Sequence, residues 1–371
     1  MLDARMMPFP LSITHLLERG RAIHPGSEVV SRLPDKTVHA QHYRDTYARS
    51  ERLARALSRL GVERGERVAT LCWNHRQHLE AYLGVPAMGA VVHTLNLRLF
   101  PAEIAYIANH ADDRVVIVDR TLFPLFEKFR ADVTGLRHVL CVRDDGGPLP
   151  PGALDYEALL AAEEAAPHAD GFGTPDGSPF IQPDEEAAAM ICYTSGTTGN
   201  PKGVAYTHRS TVLHALVASM RDNLGVGCDD VVLPVVPMFH AAAWGLPYVA
   251  FANGAKIVFP GPHLDPESLL DLMHAQRVTL AAGVPTIWNG ILARLDAEPK
   301  RWDLSSVRTM IIGGSAAPPA MIEGFASRHG LRVTHAWGMT ETNPLGTVAF
   351  VKPCVSRAGE AAAMASRCSQ G

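Results

Sequence analysis

Hydrophobic and polar positions recur along this chain in two periods, and the switch from one to the other marks out the elements. Between Tyr43 and Leu60, apolar side chains at Tyr47, Leu53, Ala54, Leu57 and Leu60 share one helical face, and Gly61 stands where such a helix would stop. The run RVATLC at 67–72 then predicts a short strand, followed by a helix over 77–88 and a strand over 91–93. Pro101 opens a helix in FPAEIAYIANH. That helix gives way at 115–119 to VVIVD, a continuous apolar run of the kind expected for a strand buried on both faces. A helix over 123–130 and a strand over 138–142 continue the alternation. Strands alternating with helices predict a largely parallel sheet covered by helices.

Between Asp144 and Pro183 the composition shifts to Gly, Pro, Ala and acidic residues, with a short helix expected over 156–165. A subdomain boundary is placed there, dividing the chain into units 1–175 and 176–353. Beyond it, strands in VVLPVV (231–236) and over 255–259, 279–282, 307–312 and 331–335 alternate with helices over 266–275, 284–295 and 318–329. The fold class is therefore α/β, two layered αβα subdomains with largely parallel sheets. The segment 354–371, CVSRAGEAAAMASRCSQG, shows neither period and is expected to be a disordered tail. From Leu233 to Ala255 no Asp, Glu, Lys or Arg occurs, a length sufficient to span a membrane. Pro234, Pro237, Gly245, Pro247, Asn253 and Gly254 interrupt it, so a buried strand, a turn and a helix are predicted instead.

Composition narrows the function class. The chain has 371 residues, 47% hydrophobic and 19% charged, which indicates a large folded core. A net charge of −4 gives no drive towards nucleic acid. The six cysteines are scattered without ligand-like spacing, which fits a reducing, cytoplasmic setting and argues against disulfides and structural zinc. The N-terminal residues lack the sustained apolar core of a signal peptide. A peripheral membrane contact and a homodimer stay open as alternatives.

The candidate chemistry centres on YTSGTTGNPKGV at 193–204, which follows a strand-like apolar run. Glycines let the backbone approach an anion closely, so that successive N–H groups point inward. Ser195, Thr197 and Thr198 add hydroxyl donors and Lys202 a mobile cation, a set suited to nucleotide phosphates. A Walker loop needs Gly-Lys-Ser/Thr opening a helix; here Asn200 and Pro201 separate Gly199 from Lys202, which disfavours a kinase of that type. A Gly/Thr-rich surface hairpin is the bland reading of the same composition.

The full string resembles, almost letter for letter, the nucleotide loop of the adenylate-forming superfamily of acyl-CoA synthetases, peptide-synthetase adenylation domains and beetle luciferases. Three further blocks follow in that family's order. Met310–Pro318, MIIGGSAAP, resembles the block lining the adenine pocket, which implies contacts from Gly314, Ser315 and Ala316. His335–Thr342, HAWGMTET, resembles the aromatic-Gly-x-Thr-Glu motif. The likeness implies that His335, Ala336, Trp337 and Gly338 border the nucleotide, with Trp337 stacked on adenine. It likewise implies Thr340 at the α-phosphate and Glu341 on Mg²⁺, with Thr194 on the metal side and Ser195, Gly196, Thr197, Thr198, Gly199 and Lys202 around the phosphates. Pro237–Tyr248, PMFHAAAWGLPY, resembles the acyl-site segment of fatty acyl-CoA synthetases, with His240 beside the carboxylate and Trp244 where some long-chain members gate the fatty-acid tunnel. Peptide-synthetase domains carry an aspartate at the place of His240, which disfavours an α-amino acid.

The resemblance implies a two-step reaction using ATP, Mg²⁺ and coenzyme A, in which a fatty acid or related carboxylate becomes an acyl-adenylate and then a thioester. It covers residues from about 10 to 353. The family's ribose-binding Thr-Gly-Asp motif and its lysine-bearing C-terminal lid find no counterpart, which implies an incomplete chain with impaired activity. The alternative from another class is a non-catalytic remnant that binds ATP or an acyl group.

Overall fold

The computed structural model describes residues 9–163, 177–194 and 200–370. Local sequence signals account for many of its elements. The helix Pro101–Ala111 starts with proline at its first position, and the Glu103 carboxylate accepts a hydrogen bond from the Phe100 N–H at 2.9 Å. The helix Tyr43–Arg59 ends where Gly61 turns left-handed (φ +80°) and the Val62 N–H reaches back to the Leu57 carbonyl at 3.0 Å.

Two mixed sheets organise the chain. The first has seven strands in the order Leu154–Asp155, His138–Val142, Asp113–Asp119, Arg67–Leu71, Val91–Thr94, Ala188–Thr194 and Lys202–Thr207. All its pairs are parallel except the last, a hairpin. The second has eight: Leu345–Val348, Val333–Gly338, Thr309–Ile312, Leu280–Gly283, Val231–Pro234, Lys256–Phe259, Glu28–Arg32 and Val38–His42. Only its two outermost pairs are antiparallel.

Both faces of both sheets are covered, so adjacent residues of one strand enter different cores. Val115 and Ile117 join the largest core, whereas Val116 and Val118 join the core beneath Pro101–Ala111. In the second sheet, Ile257 and Phe259 face the largest core and Val258 faces the outer one, which the helices Pro266–Gln276, Pro285–Ala297 and Pro319–His329 complete. The largest core is shared, because Val68 and Val92 from one sheet and Val232 and Ala282 from the other meet in it. Helices Ile13–Ile23, Tyr43–Arg59, Arg76–Ala87, His208–Ser219 and Leu246–Asn253 fill the space between the sheets, giving five layers.

The expected boundary near residue 175 does not separate the sheets. Glu28–Arg32 and Val38–His42 from the first unit close the second sheet, and Ala188–Thr194 and Lys202–Thr207 from the second unit close the first. The units exchange strands because an open parallel sheet is completed by whichever strand reaches its free edge. The expected disorder of 354–371 is also corrected. Glu360–Cys368 is a helix, with Ala363 buried and Met364 and Cys368 packed against the outer core. Its packed residues are two adjacent positions and one a turn later, too few for a periodicity to stand out. Residues 233–255 form the end of a strand, a turn at Ala241–Gly245 and the helix Leu246–Asn253, and no described helix is long and apolar enough to cross a membrane.

Candidate active site

A cavity of about 790 Å³ opens where the C-terminal ends of strands from both sheets converge, a size suited to a nucleotide-scale ligand. From the first sheet come Thr194 and Lys202, the two ends of the hairpin that carries the glycine-rich loop; the Thr194 hydroxyl lies 3.4 Å from the Lys202 carbonyl. Residues 195–199, hence Ser195, Gly196, Thr197, Thr198 and Gly199, lie outside the described residues. From the second sheet come Gly313 and Gly314 after one strand, Ala336, Trp337 and Gly338 at the end of the next, and Thr340 and Glu341 in the single turn that follows.

Backbone geometry explains how small residues shape the wall built from the second sheet. Gly314 has φ +80°, and a Cβ on Gly338 would stand 2.0 Å from the Pro344 carbonyl oxygen. Trp337 is 39% exposed, with its inner edge against Gly346, and lines the cavity. The turn Thr340–Thr342 is held by the Met339 N–H donating to the Thr342 hydroxyl at 2.9 Å, and by Ser210 Oγ donating to Asn343 Oδ1 at 2.6 Å. Thr340 is consequently buried while Glu341 projects outward.

The opposite wall is formed by His240, Ala241 and Trp244. Ala241, Ala242, Ala243 and Trp244 all hold φ between +44° and +56°, followed by Gly245 at +71°. Consecutive side-chain-bearing residues in the left-handed region are strained, and such strain gathers at functional sites. Gly245 leaves no room for a side chain, because a Cβ there would meet the His214 ring at 2.5 Å. His240 presents its ring to the cavity, yet the surrounding protein, and then the Arg98 cation, hold its pKa below the usual histidine value. The imidazole is therefore neutral at pH 7, and able to accept or donate one hydrogen bond to a carboxyl group.

This geometry brings together Thr194, Lys202, His240, Trp244, Gly314, Ala336, Trp337, Gly338, Thr340 and Glu341. Ser315 and Ala316 are exposed but do not line the cavity. His335 does not line it either. It is buried in the strand Val333–Gly338, where the two-residue alternation turns it from the side that Ala336 shows to the cavity. Gly313, Ala241, Met339, Pro344 and Leu345 line the cavity without having been singled out. Gly313 and Ala241 lie inside the recognised blocks and are signalled by them. Pro344 and Leu345 follow the cis Asn343–Pro344 peptide, which no local pattern announces.

Over residues 18–367 the chain matches the model of the AMP-binding enzyme family. The chain is a member of the AMP-binding enzyme family. The match continues past Pro353, where the resemblance of the quoted blocks ends. The chain is 47% identical over 347 residues to a long-chain-fatty-acid–CoA ligase of Thermus thermophilus, covering 94% of itself and 60% of that ligase. It is 42% identical to a 3-methylmercaptopropionyl-CoA ligase of Ruegeria lacuscaerulensis (92% and 62% covered) and 40% identical to a medium-chain-fatty-acid–CoA ligase of Ectopseudomonas oleovorans (92% and 61%). The chain thus spans about 60% of the length of these relatives. Among solved structures it resembles the anthranilate CoA ligase AuaEII in complex with anthranoyl-AMP, at a TM-score of 0.81, 23% identity and coverage of 94% and 63%. It also resembles the N-terminal domain of FACL13 from Mycobacterium tuberculosis, at a TM-score of 0.77, 25% identity and coverage of 93% and 80%. These structures share the two-sheet architecture described above.

One group of metal-ligating side chains lies elsewhere among the described residues: Cys72, His75 and Asp119, all buried. Hydrogen bonds account for all three without an ion, the Cys72 thiol donating to the Ile117 carbonyl at 3.4 Å. His75 Nε2 lies 2.7 Å from Asp119 Oδ1, His75 Nδ1 accepts from the His78 N–H, and Asp119 Oδ2 accepts from the Trp73 N–H at 2.7 Å.

Proposed function

We propose that this AMP-binding family member activates a fatty acid or related carboxylic acid with ATP and passes the acyl group to coenzyme A. The observation that carries the reading is the single cavity, with phosphate-type groups (Thr194, Lys202) and a carboxylate (Glu341) on one side and the His240–Trp244 wall on the other. The carboxylate of the acid enters beside neutral His240 with its alkyl part against Trp244. The base of ATP stacks on Trp337 above the glycines, and its phosphates run towards Lys202.

One oxygen of the carboxylate then attacks the α-phosphorus in line, forming the mixed anhydride as the bond to the bridging oxygen breaks and pyrophosphate leaves. No covalent intermediate on the protein is needed; positioning and charge compensation do the work. Thr340 would donate to an α-phosphate oxygen, and Lys202 would offset charge on the departing pyrophosphate. The Glu341 carboxylate and Thr194 hydroxyl share the cavity and supply the oxygen donors that a hard divalent cation takes. Mg²⁺ held there would neutralise phosphate charge. In the second step the CoA thiolate attacks the acyl carbon and releases AMP, giving the thioester. The relatives at 40% identity or more are named for long-chain, medium-chain and methylthio-substituted acids, so the common element is the CoA ligation rather than one chain length.

The test is pyrophosphate release by this chain with Mg-ATP and acids from butanoate to stearate, with and without CoA. Acid-dependent release is expected. ATP binding without release from any acid would support the non-catalytic remnant instead.

A further inference from the structure

The stem of the glycine-rich hairpin is fastened by groups that do not line the cavity. Tyr193 precedes Thr194, and its cross-strand partner is Gly203, which follows Lys202. A Cβ on Gly203 would stand 3.0 Å from Tyr193 Cζ, so the tyrosine ring lies across the bare glycine, filling the gap that a side chain would occupy. On its other sides the ring meets two histidines. The His93 ring is centred 5.1 Å away, and the His110 ring meets it edge-on at 5.8 Å. The Tyr193 hydroxyl and His110 Nδ1 share a hydrogen bond of 2.6 Å.

Both histidines have further partners. His93 is fully buried, and its Nδ1 lies 2.9 Å from both carboxylate oxygens of Asp113, itself buried. The His110 ring lies tilted against Tyr106, one turn earlier in the helix Pro101–Ala111, with ring centres 5.6 Å apart. Burial raises the Tyr193 phenol to a pKa of about 12, so it stays protonated and keeps its donor at any ordinary pH. Parts of two strands and one helix thus converge on one phenol, one residue from each end of the loop stem.

We propose that Tyr193 is a positioning residue of the nucleotide site: anchored by His110 and seated over Gly203, it fixes where Thr194 and Lys202 meet the β- and γ-phosphates. The proposal rests on the reading of the cavity as an ATP site. It concerns phosphates beyond the first, because Gly313, Gly314 and Trp337, read as the adenine side, come from the other sheet.

The experiment is isothermal titration of the 371-residue chain with Mg-ATP and, separately, AMP. It compares the wild type with Tyr193→Phe, which keeps the ring and removes only the hydroxyl, with His110→Gln, and with the double variant. Tyr193→Phe is expected to weaken ATP about fivefold while AMP changes less than about twofold, the size of one hydrogen bond near the surface. His110→Gln should give the same ATP-selective loss, and the double variant no more than either single change. Equal losses for ATP and AMP, an unchanged ATP:AMP ratio, or additive losses in the double variant would each overturn the proposal. A wild type that binds neither nucleotide would overturn the ATP reading and the proposal with it, whereas normal wild-type binding with an unmoved ratio overturns the proposal alone.

Discussion

The indole of Trp244 lies against the bare α-carbon of Gly313: a Cβ there would stand 3.1 Å from the tryptophan Cη2 and 3.0 Å from the Ala336 carbonyl oxygen. This contact joins the wall assigned to the acid with the wall assigned to adenine. The Ala336 carbonyl belongs to a strand and cannot yield, so an added methyl group acts on the tryptophan.

Gly313→Ala is therefore expected to raise the KM for acid and for ATP together, several-fold each. Trp244→Ala should alter only the acid side, shifting preference towards longer chains by removing the ring that narrows the cavity. Pyrophosphate release across the acid series measures both. A Gly313→Ala enzyme with an unchanged ATP KM would show that the two walls are not coupled through this contact.

Lys202 and Glu341 line the same cavity but have separable tasks. Lys202→Met removes a charged donor to phosphate and should weaken ATP by about 10- to 100-fold while sparing AMP. Glu341→Gln keeps the size but not the charge, and should raise the Mg²⁺ concentration needed for half-maximal pyrophosphate release. Equal responses of ATP and AMP to Lys202→Met would place the lysine elsewhere on the nucleotide.

Away from the site, the helix Tyr43–Arg59 carries a charge inward. Arg49 Nε lies 2.6 Å from Glu80, which is fully buried, and the same guanidinium reaches Glu157 at 2.8 Å. The Tyr156 hydroxyl donates to Glu80 at 2.7 Å. Arg49→Met would leave a carboxylate buried without its cation and should cost about 3–5 kcal/mol in chemical denaturation. Adding Glu80→Gln should recover part of that loss. If Arg49→Met alone unfolds at the wild-type midpoint, the ion pair contributes nothing net.

That network also shows where sequence reading stops. The apolar face of this helix was legible, because Tyr47, Leu53, Ala54 and Leu57 repeat at helical spacing and are all buried. Arg49 and Glu80 carry no such signal, since their partners come from helices far apart in sequence. The parallel strands were legible from continuous apolar runs, as at 115–119. The pair Glu28–Arg32 and Val38–His42 was not, because VHAQH offers one apolar branched residue and an edge position asks for little more. At the site, the cavity residues proposed to meet phosphate, metal and acyl group stood in compact motifs. The left-handed turn at Ala241–Trp244 did not, since alanine and tryptophan do not advertise a positive φ.

His208 supplies a pH test of the interior. It is 1% exposed, its Nδ1 accepts from the Ile13 N–H at 3.3 Å, and burial lowers its pKa to about 4. The unfolded chain protonates this histidine near pH 6.5, whereas the folded protein resists until about pH 4. Between those values the unfolded state binds more protons, so stability falls as the pH falls, and the full loss is reached below the folded pKa. Above about pH 6.5 both states are neutral at this position and it contributes no slope. His208→Gln retains an acceptor for the Ile13 amide but cannot titrate. Relative to it, the wild type should lose up to about 3 kcal/mol between pH 6.5 and 4. Urea midpoints across this range measure the difference, and parallel curves for the two proteins would show that His208 is solvated enough to protonate in the folded state.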